Sequence, residues 1–276
     1  KKLRQALSCA YDAKTYSGIF YSGVAPVATQ LIPPGIYGHD KNRTNPYGFN
    51  LEKAQQLLAE AGYPNGRDAS GRQLELTMDS VASGSEDRQR SEFDQRCFER
   101  LGIRVRVIEN TFPQLLQKQD NGNFQIAAGS GWGADYPDPE NFYFLFYSKN
   151  IPPYGKNASR YNNPEFDRLY EQMAVMENSP ERLEMIRKMT DILAEDCPVI
   201  LTFNKHYYSV VQPWARRTHN NPMLEGGVKY HVIDPVLRAQ KQREWNKKPM
   251  WPIAVLGAFF IGAAVYAVRW NRRRNV

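Results

Sequence analysis

Few residues in this chain are spaced for covalent or metal chemistry. The four histidines, His39, His206, His219 and His231, lie in no HExxH or other zinc-ligand spacing. Each is expected on a loop or at the surface. No serine occupies a GxSxG elbow. The three cysteines, Cys9, Cys97 and Cys197, have neither metal nor redox spacing. They read as small buried apolar residues, and their odd number leaves at least one outside any internal disulfide. Gly129-Ser130-Gly131-Trp132-Gly133 resembles half of a phosphate loop and follows a predicted strand. An anion site of that kind needs the free N–H groups of a helix start. The residues that follow, Asp135-Tyr136-Pro137-Asp138-Pro139, cannot open one. A nucleotide site is therefore rejected, and no catalytic residue, metal or cofactor is expected.

The residues suited to holding a ligand are those from Gly131 to Phe142. Glycines after a strand end leave backbone N–H and C=O groups open to a bound molecule. Trp132 offers a flat apolar wall, and Asp135 a carboxylate suited to an ammonium group. A second reading stands beside this one, in which Trp132 is core and Asp135 caps a turn.

The elements around this segment follow from periodicity and punctuation. Lys1 to Phe20 reads as helical, and Lys1 to Tyr11 is already a helix in full stride, as in a fragment whose upstream part is missing. A Gly/Pro-rich loop follows, through Val24 to Asn50. Asn50 caps the next helix, Leu51 to Ala61, which Gly62 and Pro64 stop. Leu74, Leu76 and Met78 alternate with polar residues and predict a strand. A polar helix from Ser85 to Leu101, a strand at Ile103 to Val107, a helix at Phe112 to Gln119 and a strand at Phe124 to Ala128 complete a β-α-β-α-β series. That order predicts an α/β layer with a largely parallel sheet. Beyond the glycine-rich loop come helices at Pro164 to Met176 and Pro180 to Glu195, the second capped by Ser179. Pro198 to Phe203 predicts a short apolar strand, and residues 204–248 read as polar and irregular.

Composition narrows the class. The 276 residues are 42% hydrophobic, with 16 Tyr, 13 Phe and 5 Trp, which excludes disorder. The formal charge of +7 is confined to the end of the chain. Residues 238–276 carry nine Lys/Arg and one Glu, whereas residues 1–237 carry 27 Lys/Arg against 28 Asp/Glu. The body therefore has no basic face for nucleic acid, and the basic tail points to a membrane surface. Trp251 to Val268 is an uncharged run of 18 residues, long enough to cross a bilayer. Trp251 and Trp270 bracket it as interfacial aromatics do. Lys247 and Lys248 flank one end; Arg269, Arg272, Arg273 and Arg274 flank the other. The positive-inside rule places the four-arginine side in the cytoplasm and the body outside. The alternative is a buried core helix. The expected division is 1–237 as the folded domain, 238–250 as a basic linker, 251–268 as a transmembrane helix and 269–276 as a basic cytoplasmic tail.

Several stretches together resemble the C-terminal half of extracellular solute-binding proteins of the peptide/nickel type, solute-binding family 5. Arg4-Gln5-Ala6-Leu7-Ser8-Cys9-Ala10-Tyr11-Asp12 is similar to the family's RQALSxAID helix. Lys53-Ala54 and Leu57 to Pro64 are similar to its KAKxLLAEAGYP segment. Gly131 to Phe142 is similar to GWxADYPDPxNF, and Tyr161 to Asp167 and Ile192 to Pro198 match later motifs in the same order. The resemblance implies a partial lobe of a type II periplasmic-binding-protein-like α/β fold, followed by one transmembrane helix. It implies a two-lobed receptor of an ABC importer that closes on its solute by hinge motion, with permease subunits as partners. It also implies roles: the aspartate at Asp135 pairs with a peptide's α-ammonium group, Trp132 lines the pocket, and backbone from Ser130 through Gly131 to Gly133 pairs with an extended peptide as an added strand. One departure matters. Some oligopeptide-binding members carry an arginine three residues before the tryptophan, to hold the ligand's carboxylate; here that position is Gly129. The carboxylate clamp is elsewhere or absent.

Three functions compete. A membrane-tethered binding receptor for peptides or a related solute comes first. A ligand sensor that uses the same fold and signals through its transmembrane helix is the alternative, against which stands a tail of eight residues after Val268. An enzyme has no acid/base pair or nucleophile to support it.

Overall fold

The structure, a computed structural model, describes residues 1–206, 210–217 and 231–274. His219 and part of the irregular stretch at 204–248 lie outside the described residues. Two compact units divide the chain, residues 1–208 and 209–276.

The first unit is built on three parallel strands, β1 (Glu75–Val81), β2 (Arg104–Asn110) and β3 (Ile126–Ala128), in the order β2-β1-β3. Glu75 is in register with Arg104 and Val81 with Asn110; on the other side Met78 faces Ile126 and Ser80 faces Ala128. Helix α4 (Ser85–Glu99) carries the chain from β1 to β2, and α5 (Phe112–Asn121) from β2 to β3. Met78, Asp79 and Ser80 are consecutive and all buried, the mark of a strand covered on both faces. Ser80 Oγ lies 2.6 Å from Ser91 Oγ on α4, while Asp79 meets Lys118 Nζ of α5 at 2.5 Å. The two helices therefore cover opposite faces.

The expected first helix is two helices. α1 (Lys2–Ala10) ends and α2 (Ala13–Tyr21) begins at Asp12, whose carboxylate accepts from the Thr15 N–H at 2.9 Å and the Thr15 hydroxyl at 2.7 Å. A side chain that caps so well gives the backbone an alternative to continuing the helix. α3 (Leu51–Glu60) starts where expected, with Asn50 Oδ1 accepting from Lys53 N at 2.9 Å. It stops before Gly62, whose φ of +90° suits glycine. Ala6 and Ala10 of α1 pack with Ala54, Leu57 and Leu58 of α3 in one core that includes Met78, Phe98 and Val105.

A helical layer, with the long loop at 22–50, forms the rest of the unit. The short α6 (Glu140–Tyr143) leads to α7 (Pro164–Met173) and α8 (Pro180–Asp196). Tyr143, Phe166, Met173, Ile186 and Met189 are fully buried. Ser179 and Pro180 begin α8 as expected, with the Ser179 hydroxyl accepting from Arg182 N. The far end of α8 is closed by α1. Arg4 donates to the carbonyls of Cys197 and Asp196, both at 2.9 Å, and Gln5 donates to that of Glu195 at 2.6 Å. These bonds satisfy carbonyls that a helix C-terminus otherwise leaves open.

Pro198 to Phe203 does not form the expected strand. It makes an isolated antiparallel bridge, Val27 to Phe203, with Ala28 N bonded to Thr202 O and Asn204 N to Pro26 O. Pro26 has no N–H, so the ladder cannot extend through it.

The second unit also departs from the irregular reading. β4 (Ala215–Arg217) and β5 (His231–Ile233) pair antiparallel. α9 (Pro235–Trp245) follows, capped by Asp234 and begun by Pro235. α10 (Trp251–Arg274) is 24 residues long with a mean hydropathy of 2.0 over its most apolar window, and none of that window is buried. By length and composition it can cross a membrane.

Candidate functional site

The glycine-rich segment leaves the C-terminal end of β3. From β1 the chain crosses outward to β2 and then back past β1 to β3, so its direction of winding reverses beside β1. In open α/β sheets, ligands bind outside the carboxyl ends of the strands at such a reversal. Gly129 makes the exit turn. Its φ is +79°, and a Cβ there would sit 3.4 Å from Val81 N.

The loop is fastened at several points. Ser130 Oγ accepts from Gln119 Nε2 of α5 at 3.1 Å. Asn141, on α6 and 2% exposed, is the central fastening. Its Oδ1 accepts from Trp132 Nε1 at 3.0 Å and from Asp135 N at 3.1 Å, and its Nδ2 donates to Asp135 Oδ2 at 3.4 Å. One buried amide thus sets both the indole and the aspartate. Asp138 is gripped by Arg182 of α8 through two bonds of 2.9 and 2.8 Å. Such a forked pair fixes direction as well as distance. Arg182 is itself buried and also donates to Met173 O and Asn178 Oδ1. The Glu140 carboxylate accepts from the hydroxyls of Tyr136 and Tyr170. Burial, and then that carboxylate, pushes both phenols up from their ordinary range.

Between these fastenings the chain is open. Gly131 and Gly133 are exposed, and a Cβ added at either would meet nothing within 4 Å. Neither glycine is demanded by backbone conformation or crowding. Trp132 is 39% exposed, with its other side 5.3 Å, centroid to centroid, from Phe144. The indole is thus part core and part surface. Asp135 is exposed. The predicted residues Ser130, Gly131, Trp132, Gly133 and Asp135 therefore share one loop, with Trp132 and Asp135 joined through Asn141. Sequence reasoning assigned no role to Asn141, Asp138, Arg182 or Gln119. Asn141 and Asp138 stood inside the motif, whereas nothing in the sequence joins Arg182 to a position 44 residues away. Among the described residues, no group of three His, Cys, Asp or Glu side chains gathers as a metal ion requires.

Solved structures that this chain resembles have type II periplasmic-binding-protein-like α/β folds. Residues 1–153 match the model of bacterial extracellular solute-binding proteins, family 5 middle, and the chain belongs to that family. It is 30% identical over 225 residues to the heme-binding protein A of Haemophilus influenzae, covering 80% of this chain and 39% of that protein. It is 24% identical over 237 residues to the dipeptide-binding protein of Escherichia coli, covering 85% of this chain and 41% of that one. Its structure matches the ABC transporter-associated periplasmic binding protein DppA of Helicobacter pylori, solved with the peptide STSA. That match has a TM-score of 0.64 and 28% identity, and covers 74% of this chain and 38% of the other. The chain thus spans about two fifths of the length of these curated relatives.

Proposed function

We propose that this chain contributes the ligand-holding face of a substrate-binding receptor for an ABC importer, which captures peptides or a related solute between two lobes outside the cytoplasmic membrane. The observation that carries this reading is the pairing of Trp132 and Asp135 through Asn141 on an open loop at the carboxyl end of a parallel sheet. The family membership and the peptide held by the Helicobacter pylori relative support it.

In this reading Asp135 receives the ligand's α-ammonium group. Its carboxylate is hydrated in the free lobe and loses that water when the ligand is enclosed, which strengthens the ion pair. Backbone at Gly131 and Gly133 bonds to the ligand main chain, so side-chain sequence is tolerated. Trp132 covers the ligand's apolar surface. Helix α10 tethers the receptor as a single span, with Arg269 and Arg272 to Arg274 on the cytoplasmic side and the permease subunits as its partners.

Calorimetric titration of the ectodomain of the full gene product with short peptides tests this. Asp135→Ala should weaken binding of free-amine peptides by about 2–5 kcal/mol. N-acetylated peptides should bind wild type and variant alike. Equal affinity of both proteins for the free amine would overturn the role of Asp135.

A further inference from the structure

The residues before α10 do more than join two parts. From Pro235 to Met250 the chain carries five cations, Arg238, Lys241, Arg243, Lys247 and Lys248, against the single carboxylate of Glu244. Glu244 pairs with Lys241 at 2.8 Å. The other four cations have no ion pair among the described residues. α9 holds three of the five cations on a formed helix, and Arg238, Lys241 and Trp245 follow at i, i+3 and i+7 along one face. Trp245 is 58% exposed and stands 5.0 Å from the Trp214 ring.

We propose that residues 235–250 form a collar that binds the headgroups of anionic phospholipids on the body's side of the membrane. This rests on the reading of α10 as a span. Chain length then forces the proximity. Five residues separate Trp245 from Trp251, at most about 20 Å of extended chain. Lys247 and Lys248 lie within about 13 Å of the first residue of α10. Fixed charges reach a surface over about 8 Å at physiological salt, so Lys247 and Lys248 stay within about two such lengths of the headgroups, and the α9 cations are tethered close enough to settle onto them. Exposed tryptophan beside cations is the side-chain mixture that settles at a lipid–water boundary. The collar also accounts for a conflict in the flanks. Its net charge of +4 matches the four arginines beyond the span, and so opposes the orientation those arginines favour. Anionic headgroups outside would offset that opposition.

The test uses the full chain in phosphatidylcholine nanodiscs, with and without phosphatidylglycerol, read by hydrogen exchange of the 236–250 amides. Exchange should slow at least about fivefold with the anionic lipid, and the slowing should vanish in about 0.5 M salt. It should vanish as well in the variant Arg238→Gln/Arg243→Gln/Lys247→Gln/Lys248→Gln. Equal exchange in the two lipids, or protection that survives in the variant, would overturn the collar. Alkaline carbonate washing of proteoliposomes separates the two readings. A chain that washes off removes both span and collar, whereas a retained chain without lipid-dependent protection removes the collar alone.

Discussion

Asp94 of α4 shows how one side chain can tilt the stability of the first unit. Burial raises its carboxyl to about 7, while the Tyr11 hydroxyl and the Arg90 guanidinium pull the other way. Tyr16 and Cys97 also face it, and its Oδ1 has no hydrogen-bond partner. In the unfolded chain the same carboxyl titrates near 4. The folded state therefore holds the proton more tightly. The contribution is fully present below about pH 4 and is lost as pH rises through about 7. Asp94→Asn, which mimics the protonated form, should leave stability unchanged in acid. At pH 8 it should raise stability by on the order of 2–4 kcal/mol, seen as a flattened profile of melting temperature against pH. Asn141 supports a second prediction. Asn141→Ala leaves Trp132 Nε1 and Asp135 N without their acceptor, at roughly 1–3 kcal/mol. Peptide affinity should fall by about tenfold or more, although Asn141 offers the ligand no charge. Titration of the same ectodomain checks it.

At the scale of elements, the site loop depends on a helix that takes no part in the ligand contacts proposed for it. Arg182 of α8 holds Asp138 and crosses to Met173 O at the end of α7. Arg182→Leu strands those acceptors. It should cost roughly 3–5 kcal/mol in urea denaturation, because one partner of a mostly buried ion pair is left uncompensated. Much of this scale was legible in the sequence. The caps at Asn50 and Ser179, the glycine stop at Gly62 and the three strands all follow from local rules. What local rules missed has physical causes. Asp12 divides an amphipathic stretch because capping outcompetes continuation. Pro198 to Phe203 has strand-like residues but only a proline-bearing loop to pair with. α9 is too polar for periodicity to show it, and Asp234 with Pro235 was its only signal. The site divides the same way. Trp132 and Asp135 are near neighbours in a motif, whereas Gln119 and Arg182 reach the loop only through tertiary packing.

For the whole molecule, the two units make different demands on their surroundings. The first has a buried core of its own; α10 has no buried residue. Deleting residues 249–276 should therefore leave the melting temperature of the first unit unchanged when both proteins are compared in the same detergent. A clear drop would mean that the apolar helix packs against the fold rather than standing in lipid.

The bonds from Arg4 and Gln5 to the end of α8 join positions 190 to 193 residues apart. Their consequence is one of order in time. During synthesis α1 emerges well before the carbonyls that it closes. Loop-closure entropy must be met before these contacts reward it, and contacts of such separation form slowly. Nearly the whole of the first unit must leave the ribosome before its ends can lock. Until then the unit stays unlatched at α1.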